Sequence, residues 1–251
     1  MRKGQIAIFI LFAFVIIAAF GLIELSKEPI NQKLKSSTEA KLSNAGYAAP
    51  VNAYVQNCLN LAGKEAVKIL GWQGGHIIFQ PESLITSYSI ISYAYDEGQN
   101  NLAAKSQMED EISLYVGLYV QSCLSDFGSF AGYNISSSDF DANTIIRDDS
   151  VLIKIHYPVS IKTKESSFKI SDFSTIVPVR LGYLHGVLNS IVEKQQEDNG
   201  WVPISFMSDI NLTINLYPYN ETNLVYEIID NQSLMDDKPY KILLASRFQN
   251  E

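Results

Sequence analysis

Histidine and cysteine, on which most metal sites and many catalytic centres depend, are nearly missing from this chain: its 251 residues hold three of the first and two of the second. No His-Glu-x-x-His pair, no Cys/His spacing of the zinc type and no complete calcium loop occurs. Asp139-Phe-Asp-Ala-Asn143 and Arg147-Asp-Asp149 gather carboxylates, but they lack the loop glycine and the closing glutamate. The nucleophile elbow Gly-x-Ser-x-Gly is absent. Gly71-Trp-Gln-Gly-Gly75 is followed by His76 rather than by Lys-Ser/Thr, so it reads as a helix stop and not as a phosphate loop. These absences leave no catalytic, cofactor or metal residue to nominate, and the expected protein is not an enzyme. Cations are also scarce, 19 against 27 acidic side chains for a net charge of −8. A surface of that sign excludes nucleic acid as a partner, because phosphate binding needs clustered Lys and Arg.

What the chain does have is one long apolar run. From Ile6 to Ile23 no side chain is charged or strongly polar. As a helix those residues rise about 27 Å, close to the ~30 Å hydrocarbon thickness of a bilayer. The sequence therefore predicts a transmembrane helix within residues 1–26. Arg2 and Lys3 precede it, so the N-terminus is expected in the cytoplasm and the remainder outside the cell, as a single-pass protein of the cell membrane. The core is longer than that of a secretory signal, and Ala18-Ala19-Phe20-Gly21 is a poor small-x-small cleavage site.

Arg2-Lys3-Gly4-Gln5, followed at once by the apolar run, resembles the signal of archaeal type IV pilin-like proteins. The resemblance covers about a tenth of the chain. It implies a prepilin-type peptidase that cuts between Gly4 and Gln5 and leaves the apolar run on the mature protein, where copies self-assemble. Pilins of this kind carry glutamate at the fifth mature position, and this chain has Phe9 there. A plain single-span anchor behind two basic residues stays open beside the pilin-like reading.

About 225 residues follow the run, enough for a real hydrophobic core. Fourteen tyrosines and 12 phenylalanines with only 18% charge suit a folded domain and not a disordered tail. Tyr54-Val-Gln-Asn-Cys-Leu59 recurs as Tyr119-Val-Gln-Ser-Cys-Leu124. Two such copies on similar helices predict a disulfide between Cys58 and Cys123, which an extracellular location permits. Sequons at Asn134, Asn211, Asn220 and Asn231 are candidate N-glycosylation sites on that same side.

Organisation along the chain follows from periodicity. Residues 27–49 read as a membrane-proximal stalk, and 50–251 as the extracellular domain, with a change of pattern near 140. Pro50 opens a helix over about 51–70, with Val55, Cys58, Leu59, Ala62, Ala66 and Leu70 on its buried face. A second helix spans about 103–126, with Met108, Ile112, Tyr115, Val116, Tyr119 and Cys123 as its stripe. A third carries Leu181, Leu184, His185, Leu188 and Ile191. Strands are expected at His76–Phe79, Leu84–Tyr95, 151–159, 168–179, 210–217, 224–229 and 240–245, with loop from Phe127 to Asn143. The expected fold class is α+β: a transmembrane helix, then about three helices and mostly antiparallel strands. The expected function is a structural or adhesive protein of the cell surface, pilin-like at its start. The alternatives are an anchored domain that binds a ligand or an envelope protein and, last, an extracellular hydrolase with a site assembled from distant residues.

Overall fold

A computed structural model describes residues 48–124, 127, 130, 132–163, 166–202 and 212–249. The chain divides into Met1–Pro50 and Val51–Glu251, and the architecture below belongs to the second unit.

Helix α1 occupies 48–72 and buries Val51, Val55, Leu59, Ala62, Ala66 and Leu70 completely, one residue per turn of its inner face. It stops where Gly74 and Gly75 take φ of +75° and +92°, and Gly75 N donates to Leu70 O at 2.9 Å. Gly71 serves a different need. A Cβ there would collide with Lys241 O and the Tyr240 hydroxyl, so only glycine lets α1 approach the sheet this closely. Helix α2, Lys105–Cys123, runs against α1 and is joined to it by the Cys58–Cys123 disulfide, with Cα atoms 6.1 Å apart. Tyr54 Oη also donates to Cys123 O at 2.8 Å. Helix α3 is Leu181–Glu197.

Ten strands complete the described unit. The six-stranded sheet runs β1 (Ser83–Ile85), β2 (Ile90–Asp96), β10 (Lys238–Arg247), β9 (Asn223–Met235) and β8 (Thr213–Pro218), with β3 (Gln99–Asn100) also paired to β2. Its pairings are antiparallel except β2 with β10, which is parallel. β9 and β10 are joined by Asp236-Asp237, both at positive φ (51° and 61°), the geometry a two-residue hairpin loop requires.

The second sheet is antiparallel and centred on β6 (Val151–Lys162). One edge of β6 pairs with β7 (Ser167–Val177). Its other edge is shared by β5 (Asp141–Ile146), along 151–156, and β4 (Asn134–Ser137), along 159–162. The break falls at Pro158, which has no N–H for the ladder, and the β6–β7 register shifts there.

Two buried polar networks tie α3 to the first sheet. Gln195 Nε2 donates to Tyr226 Oη (2.6 Å) and Ser246 Oγ donates to Gln195 Oε1 (3.0 Å). At the helix start, Arg180 grips the fully buried Asp230 through Nε (3.0 Å) and Nη2 (2.6 Å). Burial pushes the Asp230 carboxyl up, but Arg180, Ser233 and the Gln232 N–H outweigh it and hold the group below its ordinary value.

The expected fold class needs correction. Among the described residues no helix is long and apolar enough to cross a membrane, because each helix turns a charged face to solvent: Lys64 and Lys68 on α1, Asp110 on α2, Glu193 and Lys194 on α3. The span expected in residues 1–26 lies outside the described residues, as does the processing position at Gly4 and Gln5. The described residues of the domain form three helices with a mixed sheet and an antiparallel one. Two local expectations also fail. Residues 76–79 form no strand, since the N–H groups of Ile77 and Ile78 are taken by the Glu111 carboxylate. The run expected as one strand from Leu84 to Tyr95 breaks into β1 and β2 at a turn, where Thr86 N donates to Ser89 O. Conversely, β4 and the first half of β5 lie in the stretch expected as loop.

Candidate functional site

The outer face of the six-stranded sheet carries an apolar concavity. Ile91, Val225 and Leu243 form its apolar floor, on adjoining strands of the sheet. Two turns raise its walls. In the first, Thr86 Oγ1 donates to Ser89 O (2.8 Å) and accepts from Ser89 N (3.0 Å), while Ser89 Oγ donates to Trp72 O (2.7 Å). These bonds fix the turn to the end of α1 and leave Tyr88 at its tip. The opposite wall follows β8, where Asn220 Oδ1 accepts from the N–H groups of Thr222 and Asn223. Side-chain-to-backbone bonding of this kind is why Asn favours turns. Tyr219 then reaches across and donates its hydroxyl to Ile85 O (3.0 Å).

The result is a groove of about 430 Å³ lined by four aromatic side chains that solvent reaches: Trp72 (41% exposed), Tyr88 (90%), Tyr217 (52%) and Tyr219 (52%). These exposed rings are held by separate elements around one concavity, whereas isolated exposed apolar residues would be scattered. Glu227 also lines it. Burial pushes this carboxyl up, but the Lys241 ammonium (2.6 Å) and the Asn215 amide (2.8 Å) more than offset that and keep it below the ordinary carboxylate range. Tyr217 Oη donates to the same carboxylate at 3.2 Å. The groove thus offers ring faces, hydroxyls and an ionised but neutralised acceptor.

A second cluster surrounds Glu111, which is buried on α2. Its carboxylate accepts from Ile78 N (3.0 Å), His76 Nδ1 (3.0 Å), Gln107 Nε2 (3.2 Å) and Ile77 N. Burial raises this carboxyl, and the Ile78, His76 and Ile77 donors reverse that to a net lowering. His76 is only 5% exposed and lines a polar cavity of about 330 Å³ with Ser92 and Asn101. Here the carboxylate acts as the anchor of the segment that follows α1, doing for its backbone what a strand would have done. His156 is exposed and bonds Asp172 at 2.8 Å on the second sheet, and His185 Nε2 donates to Ala103 O at 2.9 Å. Among the described residues no group of His, Cys, Asp or Glu could hold a metal ion.

Of the residues nominated from sequence, Cys58 and Cys123 are brought together as a disulfide. Asn134, Asn220 and Asn231 are exposed, on β4, in the β8–β9 turn and on β9, and Asn211 lies outside the described residues. Ser233, third residue of the Asn231 sequon, is fully buried with its hydroxyl on Asp230. The groove residues were not nominated. Their signal was faint: tyrosines inside turn-type sequence at Thr86-Ser-Tyr-Ser89 and Tyr217-Pro-Tyr-Asn220, where a solvated loop gives an aromatic ring nothing to pack against. No protein-family model, no curated protein and no solved structure matches this chain.

Proposed function

We propose that this chain is a structural or adhesive protein of the cell surface, pilin-like at its N-terminus, whose folded domain lies outside the cell and binds through the aromatic groove without catalysing a reaction. The groove carries this reading, because four solvent-reached rings surround one apolar floor. The disulfide supports an oxidising location, where such bonds persist. The net charge of −8 supports partners other than nucleic acid. The apolar residues 6–23 pack against copies of themselves or of related subunits after a prepilin-type peptidase has cut behind Gly4. Asn134, Asn211 and Asn220 are then the glycosylation sites, while Asn231 is disfavoured because the Ser233 hydroxyl of its sequon is buried on Asp230.

Phe9 favours a second reading. With no carboxylate at that position to meet a neighbour's amino terminus, the chain is an anchored domain that binds a ligand or an envelope protein and does not polymerise. N-terminal sequencing of the protein recovered from its native membrane separates them. A start at Gln5, abolished by Gly4→Leu, supports the pilin-like reading; a start at Met1 supports the plain anchor. A start beyond about residue 20, as signal-peptide cleavage would give, overturns both.

A further inference from the structure

We infer that the occupant of the aromatic groove is a neutral saccharide chain, an assignment that rests on the groove being the binding surface. Three features of the groove argue for this chemistry together. Ring faces carry partial negative charge, and the C–H groups on one face of a pyranose carry partial positive charge, so sugar rings settle flat on exposed Trp and Tyr. Trp72, Tyr88 and Tyr217 present such faces from three separate elements, as successive sugars of a chain require. The second feature is Glu227. Its carboxylate has capacity to accept hydroxyl donors beyond those of Lys241, Asn215 and Tyr217, and the Ser87 hydroxyl lines the same groove.

The third feature is charge. Apolar side chains laid over Glu227 would strip water from the half-exposed Glu227–Lys241 pair and return no hydrogen bond, leaving a peptide only its backbone N–H groups to offer. A sugar hydroxyl replaces the lost water instead. Anionic ligands are disfavoured as well, because the nearby ammonium of Lys241 is already held at 2.6 Å by Glu227. What remains is a ligand with apolar ring faces, many hydroxyls and no net charge.

Trp72 reports on this directly, since the chain has only two tryptophans. The full chain carrying Trp201→Phe is titrated with neutral gluco-, manno- and chito-oligosaccharides and, separately, with an apolar peptide, while Trp72 emission is followed. The inference expects a saturable change with at least one oligosaccharide, none with the peptide, and about tenfold weaker binding in Tyr88→Ala and in Tyr217→Ala. Circular dichroism of both variants, expected to be unchanged, excludes misfolding as the cause. Titration by the peptide alone overturns the saccharide and leaves the groove as a protein-binding surface. If nothing titrates, and Tyr88→Ala and Tyr217→Ala cells attach to surfaces as well as the parent, both the saccharide and the groove reading fall.

Discussion

Replacing Glu111 tests whether one buried carboxylate holds the chain between α1 and β1 in place. The carboxylate gathers four donors, two of them backbone N–H groups and one the buried His76. Glu111→Ala leaves those donors facing an apolar gap. A buried donor left without a partner costs about 1–3 kcal/mol, and more where the partner removed was a charged group. The donors share one cavity and relax together, so the loss is set at about 4 kcal/mol and not at the sum. Glu111→Gln keeps the shape but points an amide N–H₂ at donors on one side, and is expected to cost about 2 kcal/mol. His76→Ala removes one donor and leaves both backbone bonds, at about 1–2 kcal/mol. Urea unfolding of the full chain, read as a shift in midpoint at constant slope, measures all three. The order Glu111→Ala, Glu111→Gln, His76→Ala is the prediction. A midpoint change equivalent to under about 1 kcal/mol for Glu111→Ala would refute the anchoring role.

Acid should unfold the domain through three carboxyls. Asp230, Glu227 and Glu111 all sit below their ordinary values of 3.8, 4.5 and 4.5. Each therefore contributes stability that is complete above its ordinary value and is lost as pH falls through its lower folded value. Unfolding midpoints should be flat near neutrality and fall below about pH 4.5, and Asp230→Asn should flatten that fall. Breaking the disulfide by the joint change Cys58→Ser and Cys123→Ser should cost up to about 4 kcal/mol, from the loop of 65 positions that it closes. Equal urea midpoints with and without reductant would contradict this. Among the sequons, Asn220→Gln should raise gel mobility while Asn231→Gln leaves it unchanged, because Ser233 is buried and committed to Asp230 once the domain has folded. A glycan found on Asn231 and not on Asn220 would reverse that ranking.

Periodicity reported the helices well because each buries one face. The stripe Val55, Leu59, Ala62, Ala66 and Leu70 lies wholly inside, and so do Leu181, Leu184, Leu188 and Ile191 of α3. Long strands were legible for a similar reason: Val151, Ile153, Ile155, Tyr157 and Val159 alternate inward along β6. Tertiary exchange was not legible. Ile77 and Ile78 are β-branched and suggest a strand, yet a carboxylate 33 and 34 positions away takes their N–H groups. The polar strands β4 and β5 hid in Ser- and Asp-rich sequence because the long β6 supplies the template on which they pair. Tyr119, placed on the buried stripe of α2, is 36% exposed, since its partner on that turn is the stacked ring of Tyr115 and not the core. The groove was illegible because no periodic pattern brings Trp72, Tyr88 and Tyr217 to one place.

β10 is the last of the ten described strands in chain order, yet it lies in the middle of its sheet, between β2 and β9. Its parallel bond to β2 joins residues about 150 positions apart, as Asp96 and Arg247 do again through paired side chains. Until the residues of β10 have emerged, β2 and β9 each present an unpaired edge with nothing between them. The sheet is thus finished by its latest-made strand, and its assembly must wait until Arg247 has emerged. A chain stopped before residue 238 would keep both adhesive edges open, giving the cell a reason to hold it in a chaperone or destroy it. Emergence of β10 is, for this domain, the switch from an aggregation-prone ribbon to a completed sheet.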